Sequence, residues 1–138
     1  MFKIKKIIYF IFLLSITSLS YSGNNEEKSI KLEGVENGKT YSSPIKLNFI
    51  IKNMRVLKAG VNEKNSGHHH LLINLKDLPD LKLSLPMTKN IIHFGKGQTS
   101  TNLKLKPSKN TIEFLFADFS HSHNEKPLMT DKVTNVIK

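Results

Sequence analysis

Apolar and polar residues alternate at period two through most of this 138-residue chain. No other feature constrains its fold as much. Ile45, Leu47, Phe49 and Ile51 alternate with Lys46, Asn48, Ile50 and Lys52. Successive side chains of an extended strand point to opposite faces, so this pattern is a strand with one face in a core. Ser29–Glu33 puts Ile30 and Leu32 on one face in the same way. Further strands are expected at His70–Leu75, at Ile91–Phe94, around Leu103 and Leu105, over Thr111–Phe119 and at Val133–Val136. The segment Thr111–Phe119 is the most apolar and belongs at the centre of a sheet. Asn37-Gly38 is a turn signal, and Pro44 fits a strand start or edge. Residues 58–67 read as an exposed loop and 107–110 as a turn. The stretch Asp77–Leu85, with leucines at 78, 81, 83 and 85 around Pro79, follows neither period. Helical periodicity is scarce and no solenoid-length repeat is visible. About seven short strands between turns predict an all-β fold, a small antiparallel Ig-like β-sandwich, with a barrel as the alternative.

The N-terminus has a different pattern. Lys3, Lys5 and Lys6 precede an apolar run, Ile7–Ile16, and a polar, small-residue stretch follows to Gly23. This is the layout of a secretory signal peptide, with cleavage expected just before Gly23. The run is too short for a spanning helix, which needs roughly 20 apolar residues. The expected organisation is a signal peptide over 1–22 and one β-sandwich domain over 23–138, periplasmic or secreted, with no integral span after cleavage. Processing removes three of the 21 basic residues and no acidic one, so the formal charge falls from +10 to +7.

Composition closes several routes. With no cysteine, disulfides, thiol nucleophiles, iron–sulfur clusters and thiolate zinc sites are excluded. Arg55 is the only arginine, and no basic cluster interleaved with aromatics marks a nucleic-acid surface. The zinc-protease pattern HExxH and the GxSxG elbow are absent. Ser120, His121 and Asp118 are sequence neighbours rather than a triad drawn from separate elements.

The six histidines form three groups: His68, His69 and His70; His93; and His121 with His123. In extended backbone His68 and His70 share a face, with His69 opposite, and His121 and His123 share one as well. Imidazole suits zinc, copper and nickel. Asp118 and Gln98 are candidate partners for a ligand's second ring nitrogen.

These residues also resemble a family. Gly67-His68-His69-His70-Leu71-Leu72-Ile73-Asn74 looks like a GHHHLLID motif, and His93-Phe94-Gly95-Lys96-Gly97-Gln98-Thr99 like HFGxGQT. With Asn37-Gly38, Ser43-Pro44, Lys58-Ala59-Gly60 and the Asp118-x-x-His121 spacing, the chain is similar to the bacterial domain-of-unknown-function family DUF4399 from about Ile30 to Val136. The resemblance implies a small, exported, β-rich protein and assigns no activity. Four departures matter. Pro107-Ser108 stands where the family has Pro-Gly, and Asn110 stands where it has His, so that histidine is no required ligand here. Asn74 stands where the family has Asp, and His123 is out of step with the family's second histidine in that loop.

The resulting expectation is a metal-binding module with His68, His70, His93 and His121 as ligands for Cu(II) or Zn(II), and Asp118, Gln98 and His123 around them. Met54, Met87 and Met129 are scattered, which disfavours a methionine site for Cu(I). The alternative is a module without metal, binding an envelope protein partner, whose histidines form a structural hydrogen-bond network. An enzyme using a metal-bound water is the third reading, and no dedicated general base beyond Asp118 supports it. Oligomeric state is not legible.

Overall fold

The structure, a computed structural model, describes residues 26–117, 128–130 and 132–138. Asp118, His121 and His123 therefore lie outside the described residues, as does the expected signal peptide. Ten strands and no helix occur among the described residues: β1 (Ser29–Glu33), β2 (Thr40–Tyr41), β3 (Ile45–Lys52), β4 (Arg55–Val56), β5 (Ser66–Ile73), β6 (Ile91–Phe94), β7 (Ser100–Leu103), β8 (Ser108–Ala117), β9 (Leu128–Met129) and β10 (Val133–Ile137). Seven have four or more residues, and β2, β4 and β9 are two-residue pairings.

Two sheets face each other. The smaller has the order β1-β3-β7, all antiparallel. The larger runs β2-β10-β8-β5-β4, with β6 also on β5 and β9 also on β8. Two of its pairings, β2 with β10 and β4 with β5, are parallel. The inner faces meet in one core. Leu32, Ile45, Leu47, Phe49 and Leu103 from the smaller sheet pack against Leu71, Ile73, Phe94, Ile112, Phe114 and Ile137 from the larger. The alternation in β3 is what this arrangement requires, since Ile45, Leu47 and Phe49 are buried while Lys46 and Lys52 are exposed.

The larger sheet is covered on its outer face too. Residues 74–90 connect β5 to β6 and lay Leu75, Leu81 and Leu85 over Leu72, Ile91, Leu115 and Ala117. As a result β5 is buried along its whole length. This corrects the expected loop over 58–67: β5 begins at Ser66, not at His70. A strand buried on both faces loses the polar alternation that would reveal it. Strand β8 similarly begins at Ser108, inside the expected turn, because Ser108–Ile112 pair with Ile137–Val133. Strand β7 ends at Leu103, and Leu105 lies beyond it, its N–H donating to Ser43 Oγ at 3.1 Å.

Candidate metal centre

The β5–β8 pair is the frame of the site. Gly67 lets the two strands close. A Cβ there would stand 2.2 Å from the Ala117 carbonyl oxygen and 2.9 Å from the Phe116 ring. At the other end Asn74 takes a left-handed backbone conformation, φ 53°. Its Oδ1 accepts the Thr111 N–H at 2.7 Å and its Nδ2 donates to Asn110 Oδ1 at 2.8 Å. An aspartate would keep the first bond and lose the second, so the amide here ties β5 to β8.

Register then places the histidines. His68 lies opposite Ala117, and His70 lies opposite Leu115 on one side and His93 on the other. Directly opposed residues share a face, so His68, His70 and His93 stand together on the outer face of the larger sheet. The His68 and His70 ring centroids are 4.6 Å apart, and those of His70 and His93 4.7 Å. One potential ligating nitrogen from each ring lies within 4.8 Å of the other two. His68 and His70 are buried, at 2% and 0% exposure, and His93 is half-buried. Around a tetrahedral zinc with Zn–N near 2.0–2.1 Å, ligand nitrogens sit about 3.3 Å apart. The three rings would need to close by roughly 1.5 Å at most to reach that spacing, a side-chain rather than a backbone adjustment. The residues present therefore fit a first-row divalent ion with imidazole ligands.

His69 points the other way, into the core, with its ring centroid 5.0 Å from Phe49 and 5.2 Å from both Phe114 and Phe116. Neither of its ring nitrogens has a hydrogen-bond partner, and the residue is fully buried. Burial, with a smaller contribution from neighbouring His68, lowers its pKa to about 4, so the ring is neutral.

Gln98 stays within its own turn, where its Oε1 accepts the Lys96 N–H at 2.9 Å. Sequence reasoning missed Glu113, a carboxylate on the outer face of β8 opposite Leu72. It is buried and paired with Lys132 at 3.2 Å. A glutamate within the apolar run Thr111–Phe119 was the available signal.

Fold and site define a class: an all-β protein of two packed sheets with a three-histidine cluster on the outer face of the larger one. The chain belongs to the family described as Domain of unknown function (DUF4399), whose profile matches residues 47–138 and so includes all three clustered histidines. No curated protein and no solved structure shows significant similarity to the chain.

Proposed function

We propose that this is an exported protein that binds a transition metal, Cu(II) or Zn(II), through His68, His70 and His93. The observation that carries the reading is the convergence of three imidazoles, two from β5 and one from β6, with ligand atoms within 4.8 Å of one another. Three further points support it. Two of the rings are buried, which holds them near a single arrangement. The ligand set is nitrogen only, which suits Cu(II) and Zn(II). The basic, apolar and small-residue regions of 1–22 support export, to a compartment where metal ions are handled outside the cytoplasm. His121 remains a candidate fourth ligand on spacing alone.

The test begins with protein purified from the periplasm without a histidine tag. Its N-terminal sequence should start at Gly23. Cu(II) and Zn(II) are then titrated into wild type and His93→Ala. One ion bound per chain with a dissociation constant of about 1 μM or tighter, weakened at least about 100-fold in His93→Ala, is the expected result. Loose binding that His93→Ala leaves unchanged would place the ion on the surface and leave the histidines as a packed structural network.

A further inference from the structure

The connection between β5 and β6 is long for a compact domain. It spans residues 74–90 with no strand or helix, whereas most such connections have about 4–6 residues. It is nevertheless tied down. The Ile73 N–H donates to the Asn90 carbonyl at 2.7 Å, and Asn90 Nδ2 returns a bond to the Ile73 carbonyl at 2.6 Å. The Lys82 N–H donates to Asp80 Oδ1 at 2.9 Å and the Leu83 N–H to the Asp80 carbonyl at 3.1 Å. Inward, the connection packs Leu75, Leu81 and Leu85 onto the sheet. Outward, it exposes Leu78 at 44%, Leu83 at 63% and Met87 at 84%. Among the described residues only Val61 and Val136 are other large apolar side chains with comparable exposure, and each stands alone on a different segment.

We propose that this connection is a membrane-docking loop, which seats Leu78, Leu83 and Met87 in the interface of an anionic bilayer. The occupant follows from charge and composition. Lys76, Lys82 and Lys89 are exposed on the same connection, between and beside the apolar residues. Asp77 and Asp80 are its acidic residues, and Asp80 is engaged within the turn. The formal charge of the chain is +10, and +7 after the expected processing. Lysines flanking shallowly inserted leucines fit a surface of anionic headgroups over acyl chains. A protein partner fits less well, because its anchoring contacts are enriched in Trp, Tyr and Arg and none occurs between residues 74 and 90. The inference does not depend on the metal reading.

The experiment is co-sedimentation of the periplasmic protein with vesicles of mixed phosphatidylglycerol and phosphatidylcholine, and with vesicles of phosphatidylcholine alone. Wild type is compared with a Leu78→Ser/Leu83→Ser/Met87→Ser variant. All three positions are exposed, so the variant keeps the fold, checked by an unchanged urea midpoint. Binding to the anionic vesicles, weakened at least about tenfold both on neutral vesicles and in the variant, is expected. Equal binding by wild type and variant would reduce the effect to general lysine attraction and overturn the proposal. So would no binding by wild type, or a wild-type dimer in sedimentation velocity that the variant dissociates, which would make a second copy of the chain the occupant.

Discussion

His69 shows what a single position contributes to this fold. Its ring fills the space between Phe49, Phe114 and Phe116, but it also brings two nitrogens into the core with no hydrogen-bond partner. An unsatisfied buried polar group costs about 1–3 kcal/mol. His69→Phe keeps a ring of similar shape and removes both nitrogens. It should raise unfolding stability by about 1–3 kcal/mol in metal-free protein at pH 7.5, read from guanidinium melts. The same residue sets a pH dependence. Its folded pKa is about 4 against an ordinary 6.5. Between those values the unfolded chain takes up a proton that the folded chain does not, so stability falls as pH falls from 6.5 to 4 and levels off below. The full loss from this group is about 3 kcal/mol. The stability gap between His69→Phe and wild type should therefore widen across that window. A gap that stays constant from pH 7 to 4 would mean that His69 is solvated in the folded protein. The neighbouring histidines were legible in part. Extended backbone dictates that His68 and His70 share a face, and they do; that His93 joins them depends on the β5–β6 register, which no local pattern encodes.

At the scale of elements, the close approach of β5 and β8 decides the geometry of the site. Gly67→Ala would drive a methyl group into the Ala117 carbonyl, and both are backbone-anchored, so the strands must part. A destabilisation of about 2–4 kcal/mol is expected, in the range of overpacked buried positions or above it. Because His68 follows directly and lies opposite Ala117, metal affinity should fall with it. Circular dichroism melts and a Zn(II) titration on the same preparation check both, and an unchanged affinity would detach the site from this strand pair. The elements also show where sequence reading stopped. Strand β3 was legible because one of its faces meets solvent. The start of β5 was not, because burial on both faces erases the alternation and Ser66-Gly67 resembles a loop. The start of β8 was missed because Pro107-Ser108-Lys109-Asn110 has turn composition, while pairing with β10, a long-range contact, makes it strand. The two-residue strands β2, β4 and β9 exist only as partners of longer ones and carry no pattern of their own.

For the whole molecule, the proposed metal would act as a cross-link within the larger sheet. Strand β5 is bonded to β4, β6 and β8, and β8 to β10 and β9, so an ion joining β5 to β6 bears on the most connected part of the structure. An ion that binds only the folded chain adds about 2.7 kcal/mol at a free concentration one hundred times its dissociation constant. For a chain of this size that corresponds to a rise in Tm of roughly 8–12 °C. The rise should grow with the logarithm of metal concentration, reverse with a chelator, and weaken as pH falls, since each ligand must be a neutral imidazole to bind. Scanning calorimetry of wild type and His93→Ala, with and without Zn(II), checks this. His93→Ala should retain its fold, because the ring it removes is only half-buried, and should lose most of the shift. A shift of equal size in His93→Ala would mean that the stabilising ion sits elsewhere on the protein. No shift in wild type would leave the outer-face histidines as packing groups, and the buried cluster would then owe its place in β5 to the sheet alone.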